Sequence, residues 1–363
     1  MSHCTLPISL ISGKFLGSRD RVVVAGNSPS CNVGIQYVMQ DSETGENYFQ
    51  NKCELLFNGT CTEMEICGVS RLAKSFVAVA TTDSNGRGDS DIELIDVETD
   101  INDATMKRAH SLRSDTNSTF TSLSFYSDQE LLAAATDSGN VVLWDLYTGK
   151  EVRRFTADSC GLNKLEFTRS GQLLTCGQST SAQLHVWDVR TSLPANVPSM
   201  SSANGPSGGA SGGVSVSAAR ALKHPQKPSK DSVGHPHHLH YTSISSHSIY
   251  NKIVCGTSRG SVAIWDLRSE AVTEFQLYSS QSLVTSVVAH PWKQDLLISA
   301  SSCGSVKSTD LLNIDGLRDN SSISSETIVM EPAAMTSIDC DRDSGMLLAV
   351  SALGGLWRLQ LEK

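Results

Sequence analysis

Two short stretches hold arginines where they could recognise carboxylates. Residues 187–190 read Trp-Asp-Val-Arg and residues 265–268 read Trp-Asp-Leu-Arg. A guanidinium presented on a turn offers a planar fork to a partner's carboxylates or carbonyls. The alternative is that each arginine pairs with its own aspartate and stiffens the turn. Asp188, Arg190, Asp266 and Arg268 are thus the candidate protein-docking residues. His110 and Asp137, with Trp144 and Asp145 downstream, form a second set. His with Asp suggests catalysis on paper, but in a repeated unit a buried structural hydrogen-bond network is the preferred reading. The third set is the histidines 224, 235, 237, 238 and 240. Only Asp231 stands near them, with no cysteine or glutamate, and we assign no metal there.

Other chemistry finds no support. No G-x-x-x-x-G-K-[ST], H-E-x-x-H or G-x-S-x-G pattern occurs, and the glycines of 208–213 neither follow a strand nor open a helix. We expect no catalytic residue, no cofactor and no enzyme. A formal net charge of -9 disfavours nucleic acid as a partner, the adjacent basic pairs being 107–108 and 153–154. The first residues lack a basic leader with a long apolar run, and no stretch approaches the roughly 18 apolar residues of a membrane span. Ten cysteines without a C-x-x-C read as buried, reduced thiols of a cytosolic or nuclear protein. The sequons at Asn58, Asn117 and Asn320 are then chance matches.

What positions the Trp-Asp pairs is a repeat. Residues 138–146, 181–189 and 259–267 align as a turn, alternating apolar positions, then Trp-Asp and an aliphatic residue. Two further apolar runs precede each, giving three short strands joined by tight turns. Weaker copies place Tyr37, Ile95, Ser308 and Trp357 at the position of Trp144, Trp187 and Trp265. The spacing of 43 residues recurs and falls in the range of four-stranded propeller blades. The fold class is therefore all-β, one seven-bladed β-propeller over 1–363. A blade cannot bury both faces alone, so it stacks on its neighbours. A tryptophan in the wedge contributes at most about 4–6 kcal/mol by buried area. We place Trp187 between blades four and five. The turn position of Asp137 is Thr180, Ser258 or Ser301 elsewhere, so the His-Asp-Trp network is mostly degenerate. Residues 5–12 either complete the last blade or begin the first.

The outlying spacing of 78 residues, from 187 to 265, contains the segment 191–240. Its Gly, Ser, Pro and Ala leave too few apolar residues to offset ordering entropy. It is read as a disordered insertion between blades four and five, containing or replacing blade four's outer strand. A closed ring tolerates such length because closure entropy grows slowly.

With the blades placed, the chain resembles the WD-repeat family. Residues 158–190, with Asp158, Ser159, Leu162, Phe167, Leu174, Thr175, Gln183, Leu184, Trp187, Asp188 and Arg190, are similar to the fourth blade of the forty-three-kilodalton class of seven-bladed nucleoporins. Segments within 284–306 and 324–359 are similar to that class's last two blades. The resemblance implies a non-catalytic scaffold in the outer-ring Y complex of the nuclear pore, docked on a helical-solenoid subunit among other Y-complex nucleoporins. It also implies a place in the nucleus at the nuclear envelope without membrane insertion, support of nucleocytoplasmic and mRNA transport, and a kinetochore role in mitosis. The two W-D-x-R boxes resemble those of cullin-RING ligase substrate receptors, which implies a ligase adaptor as the alternative partner.

Overall fold

The computed structural model describes residues 2–16, 20–27, 31–40, 47–82, 90–99, 104–113, 118–178, 183–189, 220–223, 239–247, 252–290, 292–293, 295–311, 324–341 and 343–361. Their strands form seven four-stranded antiparallel sheets, and the expected propeller is present. From innermost to outermost strand, blade one covers 9–57, blade two 60–113, blade three 120–156 and blade four 162–223. Blade five covers 241–276, blade six 284–330, and blade seven 335–360 together with Ser2–Thr5.

Both alternatives for residues 5–12 hold in part. Ser2–Thr5 pairs with Gly355–Gln360 as the outermost strand of blade seven, while Ser9–Phe15 is the innermost strand of blade one. His3 stacks on Trp357 at 4.7 Å. The exit from this closing strand repeats that of an ordinary blade. Leu6 N–H donates to the Gly354 carbonyl at 2.8 Å, as Ala157 N–H does to Gly139. Gly354 and Gly139 have φ of +84° and +83°, and a Cβ on either would overlap a carbonyl of the passing chain, so glycine is required there.

Each blade uses burial in the same order. The second strand lies between neighbouring sheets on both faces and is apolar almost throughout, as in Leu131–Thr136. Outer strands alternate or are exposed, as in Lys150–Thr156. All seven innermost strands carry a register shift directly after their first core residue: Leu10, Cys61, Phe120, Leu162, Tyr241, Val284 and Met335. A bulge at that place adds the local twist the strand needs beside the axis.

That shared bulge fixes the register of the tryptophan position. Trp144, Trp187 and Trp265 pair with Leu132, Leu173 and Ile253. The equivalent pairs elsewhere are Val22 with Gln36, Val77 with Ile95, Leu297 with Thr309, and Leu347 with Leu359. Ile95 is confirmed, whereas Tyr37 and Ser308 are one residue from the true position and Trp357 is two. Trp357 still faces the same seam, because a two-residue step keeps the side of the sheet. It packs with Ile338 and Leu347 in the cluster between blades six and seven.

Seven apolar clusters fill the seven seams. Trp187 lies against Phe155 of blade three, ring centres 4.8 Å apart, in the seam between blades three and four. Its expected place between blades four and five is therefore corrected. The tryptophan face of each sheet looks back toward the preceding blade, as with Trp144 against blade two and Trp265 against blade four.

The insertion is also revised. Arg220–Lys223 is a strand paired to Gln183–Asp188, so the 191–240 segment supplies blade four's outermost strand. His240 directly precedes blade five, its carbonyl accepting the backbone N–H of Ser258 at 3.0 Å. The remaining insertion, 191–219 and 224–238, lies outside the described residues.

Candidate functional site

The aspartate of a Trp-Asp pair sits at the strand end and governs the next turn. Asp145 Oδ1 accepts the backbone N–H of Tyr147 at 2.8 Å and of Thr148 at 3.2 Å. Asp266 Oδ1 accepts the backbone N–H of Arg268 at 2.8 Å. The turn-stiffening partner of Asp266 is thus the arginine's amide, and the Arg268 side chain is exposed at the rim. Asp188 closes the strand Gln183–Asp188 in the equivalent position. Arg190 lies outside the described residues.

Each box is also held from the blade before it. Arg153, on the outer strand of blade three, donates through Nη1 to the Val189 carbonyl at 3.2 Å. Arg220, on the outer strand of blade four, donates through Nη1 to the Leu267 carbonyl at 2.7 Å. Both carbonyls belong to the residue between Asp and Arg of a W-D-x-R box, so two cross-seam clamps position the two boxes alike. Sequence reasoning missed both arginines. Arg153 was visible only as half of a basic pair, and Arg220 stood in a segment with no strand pattern.

The His-Asp-Trp network of blade three is not formed. His110 is exposed on the outer strand Ala104–Arg113 of blade two. Asp137 is exposed too, and its Oδ1 accepts the N–H of Thr119 at 3.0 Å. Trp144 is buried against Phe120. His110 shares a strand face with the buried Leu112, toward blade three, and its ring lies at the exposed circumference beside Gly149. Buried indole N–H groups are instead satisfied in blades four and five. Trp187 Nε1 donates to Thr175 Oγ1 and Trp265 Nε1 to the Tyr241 hydroxyl, both at 2.9 Å.

A cavity of about 240 Å³ is lined by the innermost strands of all seven blades and so lies on the ring axis. Lys14 and Lys164 there face Glu63, Glu65, Glu166 and Asp339. Lys14 stands 3.7 Å from Glu65, and Lys164 bonds Glu63. Glu166 Oε1 accepts the N–H and hydroxyl of Ser246 at 2.8 and 2.7 Å, and Asp339 Oδ2 the N–H of Phe15 at 3.0 Å. Glu65 draws the Lys14 ammonium above its usual range against the cost of burial, aided by Asp339, Glu63 and Glu166. Burial raises Glu65 and Glu166. The group works as an axial polar clasp between blades that sequence separates by as much as 324 positions.

The thiols divide. Cys61, Cys67, Cys176 and Cys255 are buried, and burial pushes Cys176 up to about 12. Cys160 and Cys303 are exposed turn residues, against the expectation of burial, and no disulfide joins the described cysteines. Among the described residues no group of three His, Cys, Asp or Glu is arranged to hold a metal ion. Four of the five insertion histidines fall outside those residues. No described helix is long and apolar enough to cross a membrane.

Comparison with known proteins agrees with this geometry. Residues 146–354, more than half of the chain, match the family model described as Nucleolar protein 10-like, N-terminal domain. Residues 92–170 match the model of the anaphase-promoting complex subunit 4 WD40 domain. WD repeat and SOCS box-containing protein 1 of Homo sapiens is 33% identical over 66 residues, and that of Mus musculus 35%. The Takifugu rubripes protein of the same name is 33% identical over 66 residues. These stretches cover 18% of this chain and 16% of the relatives' length.

Proposed function

We propose, from the premise that this chain belongs to the WD40 β-propeller family represented by the Nucleolar protein 10-like N-terminal domain, that its scaffold serves the outer-ring Y complex of the nuclear pore. In that role it is a peripheral, non-catalytic subunit docked on a helical-solenoid nucleoporin at the nuclear envelope. Support of nucleocytoplasmic transport and a mitotic place at kinetochores belong to the same reading. The observation that carries the scaffold role is ring closure by Ser2–Thr5, which completes the seventh of the seven described sheets. The nuclear-pore assignment is supported by the likeness of residues 158–190 and of the last two blades to seven-bladed nucleoporins.

A second reading is favoured by a specific observation. The relatives named for WD repeats and a SOCS box share sequence with this chain, and Arg268 stands exposed behind Asp266. A cullin-ligase adaptor would then dock on Asp188, Arg190, Asp266 and Arg268. Purification of the tagged chain from cell extract, with identification of its stable companions, tests both. Outer-ring nucleoporins are the expected companions, retained on Arg190→Ala with Arg268→Ala. Recovery of a cullin adaptor that this double substitution abolishes would establish the second reading in place of the first.

A further inference from the structure

The outermost strand of blade four is built differently from its counterparts. In blades three and five the chain turns directly from the third strand into the fourth, Asp145 to Lys150 and Asp266 to Ala271. In blade four the third strand ends at Asp188 and the fourth begins at Arg220. Closing so long a connection costs more entropy than closing a tight turn, so covalent linkage favours this strand less. The strand also contributes little. It has four ladder pairs, from Gln183 with Lys223 to Val186 with Arg220, against six for Ser261–Asp266 with Ala271–Gln276. Within it Leu222 alone is buried. The closing strand Ser2–Thr5 is equally short, but it adds the His3–Trp357 stack and the Leu6–Gly354 bond.

Two side chains hold the strand, and alternation puts both on one face. Leu222 fills the seam with Tyr241 and Ile244 of blade five. Arg220 crosses that seam to the Leu267 carbonyl at 2.7 Å. Ala221 and Lys223 point the other way and are exposed. Were the strand to leave, Gln183–Asp188 would present a row of unpaired backbone groups beside an apolar socket and a free carbonyl. A sheet edge of this kind accepts an extended segment by strand addition.

We propose that Arg220–Lys223 is an exchangeable strap, an internal occupant of a strand-addition site on the edge of blade four. The external occupant is an extended segment of another protein carrying arginine two residues before an aliphatic residue. Its backbone pairs with Gln183–Val186, its aliphatic side chain enters the Leu222 socket, and its guanidinium takes the Leu267 carbonyl. The site belongs to the seam between blades four and five and needs no contribution from Arg190 or Arg268.

Two measurements on the full chain decide it. In hydrogen exchange, the amides of Gln183–Asp188 that bond outward should exchange at least tenfold faster than those of Ser261–Asp266. Equal protection would make the strap a permanent part of the sheet and overturn the proposal. In the second, a fluorescent peptide of residues 216–226 is titrated into the wild type and into Arg220→Ala with Leu222→Asp. The substituted chain, its circular dichroism unchanged, should bind the peptide at least tenfold more tightly than the wild type does. The same peptide with aspartate for leucine should not bind. Failure of the substituted chain to gain affinity, or indifference to the leucine, would overturn the proposal. The exchange experiment on unmodified protein decides the matter should the substituted chain fail to fold.

Discussion

Blades four and five carry the same box, the same buried tryptophan and the same cross-seam clamp, yet they finish differently. Blade five runs straight through Asp266 into Ala271–Gln276, whose Phe275 is buried in the next seam. Blade four recruits four residues from beyond a long insertion, with Leu222 as their one buried side chain. The inner three strands of a blade are sandwiched by neighbours on both faces, so their sequence is constrained. The fourth strand lies at the circumference, where pairing on one edge and a single apolar plug suffice. An insertion is therefore tolerated just before the fourth strand, the least buried part of the unit.

Removal of the tryptophan that the two blades share should have the largest effect. Trp187→Ala and Trp265→Ala should each destabilise the protein by about 3–5 kcal/mol in denaturant unfolding, since each empties a seam. A loss below about 1 kcal/mol at one site would show that the two seams are not equivalent. The outer strands should then part company. Phe275→Asp puts a charge into the seam between blades five and six and should cost about 3 kcal/mol or more. Leu222→Asp should cost less than half of that, because only the strap is released. Equal losses would mean that blade four depends on its fourth strand as blade five does.

The same contrast explains what was legible in the sequence. Where Trp-Asp is present the strands align without ambiguity, because an indole followed by a turn aspartate marks the strand end. Where it is absent the marker is lost, and Gln36, Thr309 and Leu359 were misplaced by one or two residues. Only the bulge after Leu10, Val284 and Met335 restores the register, and a bulge is a property of paired backbones. The strand Arg220–Lys223 is too short to show a period. Arg153, Arg220, Lys14 and Glu166 are polar residues on strands, which singly read as solvated faces; ring closure gives them partners. The candidate boxes were legible as turns, while the carbonyls that the neighbouring blade clamps were not.

A smaller effect tests whether the two indoles are held alike. Thr175→Val and Tyr241→Phe each leave a buried tryptophan N–H without its acceptor, which costs about 1–3 kcal/mol. Thermal denaturation of the two variants should give similar losses. A silent Tyr241→Phe would mean that Trp265 finds another acceptor and that the aromatic pair contributes through packing alone.

The smallest expected effect concerns His185, which faces Ala221 of the strap across the ladder, where blade five has Ala263. Burial lowers the proton affinity of His185 below the ordinary histidine value of 6.5; Asp158 opposes this and Lys223 adds to it. The folded blade thus favours the neutral ring, while the unfolded or strap-free state takes up a proton more readily. The stabilising contribution is present above pH 6.5 and is lost as the pH falls below it. Protection of the strand Gln183–Asp188 in hydrogen exchange, corrected for intrinsic rates, should therefore drop between pH 7.5 and 5.5, whereas Ser261–Asp266 stays constant. His185→Gln should flatten the response of blade four to that of blade five. A pH response that survives this substitution would place the titrating group elsewhere and remove His185 from the difference between the two blades.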